Sequence, residues 1–129
     1  MDDPANSLAK VAARLMKFQT AMKIHHWQTK SFAHHKASDA LLDSLSDLVD
    51  RFMESLQGSH GDRLSFGGQE YMFPVCDVSD EYAGQMIARL RAWLLRDLPA
   101  LVQLDSGLTN IRDEMVSALD TTQYLFTFQ

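Results

Sequence analysis

Between His26 and Glu54 runs HWQTKSFAHHKASDALLDSLSDLVDRFME, a stretch in which histidines and carboxylates recur at helical spacing. His35 and Asp39 are four residues apart, and so are Asp50 and Glu54, so each pair projects from one side of a helix. At 100° per residue the four side chains fall within a wedge of about 100°. Imidazole nitrogen and carboxylate oxygen on one face are the donors of a transition-metal site. Residues 35 and 50 nevertheless lie about 22 Å apart along a helix axis, too far to share an ion. A second copy of the helix, antiparallel across a two-fold axis near Ser44 and Leu45, would set Asp50 and Glu54 of one chain beside His35 and Asp39 of the other. An isologous interface of that kind holds two identical sites.

The elements that must position these groups are helical. Asn6 or Ser7 can cap a first helix reaching about Lys30, with Leu8, Val11, Leu15, Phe18 and Met22 as its buried stripe. His26 extends that stripe; taken alone it reads as a core-edge histidine, and Trp27 reads most simply as a packing residue. Ser31 can cap a second helix that Gly58 would stop. Its apolar stripe is Leu41, Leu45, Leu48, Phe52 and Leu56. Asp39, Asp43, Asp47, Asp50 and Glu54 line the opposite side with almost no basic partner at i, i+4, a repulsion that a cation or a partner chain would relieve.

Residues 58–78 carry four glycines and Pro74 and form a long connector, with Leu64, Phe66, Tyr71 and Phe73 tucked onto the bundle. A connector of that length lets the next helix run either way. His60 lies in it and reads as exposed. Ser79, Asp80 and Glu81 open a third helix, acids favouring its positive end; Tyr82, Met86, Leu90, Trp93 and Leu94 face inward. Pro99 ends or kinks it. Asp105-Ser106-Gly107 turns the chain into a fourth helix from about Leu108 to Phe126, with Leu108, Ile111, Met115 and Leu119 inside. The expected fold is an all-α four-helix bundle, one domain over residues 1–129, with a long connector between helices two and three.

Composition narrows the function classes. The chain has 129 residues, 46% hydrophobic and 22% charged, with 12 basic against 17 acidic residues and a net charge of −5. That charge balance argues against a nucleic-acid partner. Met1-Asp2-Asp3-Pro4 is acidic with no apolar run behind it, no run reaches membrane-span length, and Cys76 stands alone, so a cytoplasmic location is expected.

Each Glu lacks a His three residues on, so the Glu-x-x-His signature of an intrachain di-iron bundle is absent. The pattern His26-Trp27, then His35 to Asp39, then Asp50 to Glu54 instead resembles the Dps family, the mini-ferritins. That family has a His-Trp pair late in helix one, His-x-x-x-Asp opening helix two and Asp-x-x-x-Glu closing it. The resemblance covers residues 22–57 and implies a ferritin-like fold. It also implies an iron site at a two-fold interface, with His26, His35 and Asp39 from one subunit and Asp50 and Glu54 from the other. The implied activity is oxidation of Fe(II) by peroxide or oxygen and sequestration of the iron, in a homo-oligomer that is at least a dimer and, by analogy, a dodecameric cage. The link from His26 to His35 is shorter than in that family, which leaves His34, and with it His25, as rival ligands. The basic tail used on DNA is missing, so a DNA partner is not expected. A non-catalytic binder, for which zinc is favoured by intrinsic affinity, and a purely structural bundle remain the alternatives.

Overall fold

A computed structural model describes residues 6–129; the acidic opening Met1 to Pro4 lies outside the described residues. Four helices make up the described chain, and no strand occurs among these residues. Helix α1 spans Ser7–Gln28 and α2 spans Phe32–His60. Helix α3 begins as Asp80–Ala92, passes through a π-helical stretch at Trp93–Asp97 and closes with the turn Leu98–Leu101. Helix α4 spans Ser106–Leu125.

The starts of the helices follow their caps. The Asn6 side chain accepts from the Ala9 amide, Ser31 from His34, Ser79 from Tyr82 and Asp105 from Leu108, each satisfying a first-turn donor that has no partner inside the helix. Two ends differ from expectation. Helix α1 stops at Gln28 rather than Lys30, where Thr29 turns extended and its amide closes on the His25 carbonyl at 2.9 Å. Helix α2 runs through Gly58 and ends at His60, because Gly61, at φ 77°, takes the left-handed position. Both glycines can end a helix; the one whose backbone turns left-handed does so. The two should therefore respond oppositely to alanine. Gly61→Ala is expected to lower stability by about 1 kcal/mol. Gly58→Ala, with nothing within 4 Å of its added carbon, should raise it by about 0.5–1 kcal/mol. Urea unfolding of the two variants checks both signs.

Pro99 does not simply end α3. It lacks the amide that would close the preceding turn, and its ring crowds the carbonyl four residues back. The helix widens ahead of it instead, with the Leu98 amide reaching five residues back to the Trp93 carbonyl.

The expected stripes form one core: Leu15, Phe18 and Met22 of α1, Leu41, Leu45, Phe52 and Leu56 of α2, Leu90 and Leu94 of α3, and Leu108, Met115 and Leu119 of α4. Tyr82 is a correction. It is 36% exposed, while Ala83 and Ile87 fill the interior beside Met86. In the connector Leu64, Phe66 and Phe73 are partly buried, but Tyr71 is exposed.

Topology settles what the connector left open. Helix α1 packs against α2 and α3, and α4 packs against the same two, so α2 and α3 stand on a diagonal. The start of α3 is tied to the end of α1, with Gln28 donating to Asp77 at 2.8 Å and Thr29 donating to Asp80 at 2.7 Å. The start of α4 is tied to the end of α2 by Ser59 donating to Asp105 at 3.1 Å. Helices α2 and α3 are thus parallel, and residues 61–79 return along the bundle. The order of directions is up, down, down, up, and the α1–α2 turn, the α3 start and the α4 end share one end of the molecule.

Candidate metal centre

That end gathers His25, His26, His34 and His35, because α1 finishes and α2 begins there across a three-residue turn. The side chains divide into an outer pair, His26 and His35, and an inner pair, His25 and His34.

The outer rings are stacked, with centroids 4.1 Å apart and planes 14° from parallel. His26 Nδ1 donates to the His35 carbonyl at 2.9 Å and lies 3.0 Å from Ser38 Oγ. His35 Nδ1 donates back to the His26 carbonyl at 3.0 Å. A carbonyl only accepts, so both neutral rings carry their proton on Nδ1 and leave the Nε2 lone pair free. A backbone acceptor on one ring nitrogen is how a ligating histidine is commonly oriented. His26 Nε2 stands 4.0 Å from Asp39 Oδ1. Asp39 and Asp43 also line an open groove with Lys23, Lys36, Ala40 and Leu42. The structure therefore sets His26 beside both His35 and Asp39, but the ligand atoms of the three do not all lie within 4.8 Å of one another.

Asp50 and Glu54 are exposed further along α2, and a single chain does not bring them to the histidines. His60, exposed as expected, lies at the far end of α2, about 37 Å from His35 along the axis. Among the described residues the acidic line has one ion pair to a basic side chain, besides the lysines of the groove. Arg51 lies 3.9 Å from Asp47 and 3.7 Å from Glu114 of α4. Trp27 is not a core packing residue. It is 70% exposed, with the Lys23 ammonium over its ring, and Phe32 nearby in sequence is 71% exposed.

The inner pair is more tightly built. His25 Nδ1 donates to the Val78 carbonyl at 3.1 Å, and His25 Nε2 lies 2.9 Å from His34 Nδ1. Asp80 Oδ1 faces both nitrogens, at 3.7 Å from His25 and 3.6 Å from His34. The Phe126 ring stacks on His34 at 3.8 Å. Among the described residues, His25, His34 and Asp80 are the group whose three ligand atoms lie within 4.8 Å of one another, a cluster able to coordinate a metal ion. Asp80 is the functional candidate that sequence reasoning missed. It reads as an ordinary helix-start acid, and its approach to the histidines depends on α3 running parallel to α2.

Burial lowers the His25 pKa from its ordinary 6.5; the bond to Val78 opposes that shift and neighbouring His34 adds to it. The native chain thus holds His25 neutral where the unfolded chain would already protonate it. In metal-free protein this contribution is complete above 6.5 and is lost as pH falls below it towards the lowered native value. The urea midpoint in chelator is expected to be lower at about pH 5.5 than at about pH 7.5, a window above most carboxylate titrations. An unchanged midpoint would mean that His25 is not desolvated.

Fold and site together define an all-α four-helix bundle with a cluster of potential metal ligands at one end. Residues 26–126 match the model of a family described as a family of unknown function, DUF5856, and the chain belongs to that family. The matched stretch takes in both outer histidines, His34, Asp80 and the acidic face of α2. The chain is also 35% identical over 65 residues to an "uncharacterized 14.6 kDa protein in mobD-ri intergenic region" of Enterobacteria phage T4. That alignment covers 50% of this chain and 45% of the phage protein, so the chain spans about half the length of the relative it matches. No solved structure matches the chain. No helix among the described residues is long and apolar enough to cross a membrane.

Proposed function

We propose that this protein takes Fe(II) as substrate at an intersubunit site and oxidises it with peroxide or oxygen, in the manner of a mini-ferritin. His26, His35 and Asp39 would come from one copy and Asp50 and Glu54 from a second, antiparallel across α2. The observation that carries the reading is the reciprocal lock of the outer pair, each ring donating to the other residue's carbonyl and keeping its Nε2 lone pair free. The two bonds fix both ring orientations and leave each Nε2 available to a ligand. The exposed Trp27 and Phe32 beside them are apolar surface that a second copy would cover. The single long crossover and the up-down-down-up order agree with ferritin-like bundles.

The chemistry follows from the donors. Carboxylates favour Fe(III) over Fe(II) by offsetting the added charge, and a mixed nitrogen and oxygen set leaves positions open for the oxidant. Peroxide accepts one electron from each of two Fe(II), takes two protons and leaves as two waters. The test is anaerobic Fe(II) loading of metal-free protein, then a peroxide pulse while ferric absorbance is followed. A fast rise saturating at about one or two irons per chain is expected. Binding without oxidation would place the protein among cation buffers, and no rise above the protein-free control would refute the reading.

A further inference from the structure

The outer site leaves His25 and His34 unused, although they are 0% and 8% exposed and lie against a carboxylate. The geometry points to a second, intrachain cation site, with His25 Nε2, His34 Nδ1 and Asp80 Oδ1 holding a resident ion of the coordination preference of Zn(II). The ion ties the ends of α1, α2 and α3 together without needing a second copy.

Three features carry this assignment beyond a hydrogen-bonded histidine pair. Asp80 Oδ1 stands 3.6 and 3.7 Å from the two imidazole nitrogens, beyond hydrogen-bond length yet facing both. Together with the 2.9 Å between the nitrogens, these separations bracket the edge of about 3.4 Å of a tetrahedron with bonds of about 2.0–2.1 Å. The supporting contacts are also in place. The Val78 carbonyl fixes the His25 tautomer so that Nε2 faces the carboxylate, and the Thr29 hydroxyl donates to the same Asp80 oxygen at 2.7 Å. The donors are also held in place, since His25 is fully buried and the Phe126 ring stacks on His34 at 3.8 Å.

Two nitrogens and one oxygen near tetrahedral spacing, with Asp80 half exposed so that a water would supply the fourth ligand, suit Zn(II) better than Fe(II) by geometry and by intrinsic affinity. Without the ion, His34 Nδ1–H donates to His25 Nε2. Binding moves that proton to His34 Nε2 and frees both facing lone pairs.

The test uses full-length metal-free protein carrying His35→Ala and Glu54→Ala, which removes the outer site and separates this proposal from iron oxidation. Titration with Co(II) should give one equivalent per chain with the intense visible absorption of a four-coordinate ion. Zn(II) should displace it and raise the melting temperature. Asp80→Asn, which keeps an oxygen to accept from the Thr29 hydroxyl, and His34→Gln should each weaken uptake about 100-fold with helical content unchanged. A pale six-coordinate Co(II) spectrum, unaltered uptake in Asp80→Asn, or no uptake in the parent would each overturn the assignment.

Discussion

Mixing inactive His35→Ala chains with inactive Glu54→Ala chains should restore iron oxidation to about a quarter of the wild-type rate. Each variant alone loses one donor from every site and should retain about 1% of the rate or less. In a mixed dimer, one site combines both defects. The other takes intact His26, His35 and Asp39 from the Glu54→Ala chain and intact Asp50 and Glu54 from the His35→Ala chain. Random reassortment makes half of the dimers mixed, and each contributes one working site of two, hence a quarter. A site closed within one chain gives no recovery whatever the mixing ratio. Asp50→Ala should complement His35→Ala in the same way, whereas Asp50→Ala and Glu54→Ala, changed on the same side of the site, should not complement each other. Stopped-flow ferric absorbance after unfolding, mixing and refolding reads all of these combinations. Unchanged kinetics in both Asp50→Ala and Glu54→Ala would remove the assignment altogether.

Local signals were legible because they rest on short-range physics. Ser31 and Ser79 cap helices because a hydroxyl can reach an unpaired amide two or three residues on. The Leu41 to Leu56 stripe is buried because its period admits one inward face. The grouping of His26 with His35 and Asp39 came only through the resemblance to the mini-ferritins; in the structure a three-residue turn between antiparallel helices sets His26 beside each of them. Asp80 could not be read in this way. Its partners lie 46 and 55 positions back in the chain, and its approach to them depends on whether residues 61–79 return along the bundle, which no local pattern encodes. The same holds for Tyr82 against Ala83: both lie near one helical face, and the space left by α1 and α4 decides that the smaller side chain enters. At Gly58 and Gly61 composition is identical and only the backbone dihedral separates them. Trp27 is exposed because α1 ends one residue later, so its flank has no facing helix to meet.

Phe52→Ala should be the most damaging single change to stability and yet spare the chemistry in whatever chain remains folded. Phe52 is fully buried in the core between Asp50 and Glu54 of α2, helix neighbours whose side chains face water. Removing its ring forfeits the burial of a large apolar side chain and leaves a cavity that rigid helix packing closes only in part, a loss of about 3–5 kcal/mol. A domain of this size is stabilised by about 5–15 kcal/mol, so the chain should still fold at 25 °C, with a melting temperature lower by about 10–20 °C. Phe52→Leu keeps most of the volume and should cost under about 1.5 kcal/mol. The contrast with Glu54→Ala separates fold from function along one helix. Glu54→Ala should melt close to wild type and not oxidise iron, whereas Phe52→Ala should melt early and oxidise iron in proportion to its folded fraction. If Phe52→Ala abolished oxidation well below its melting transition, the acidic face would depend on core packing to hold its carboxylates in place. The ligand geometry would then belong to the whole bundle and not to α2 alone.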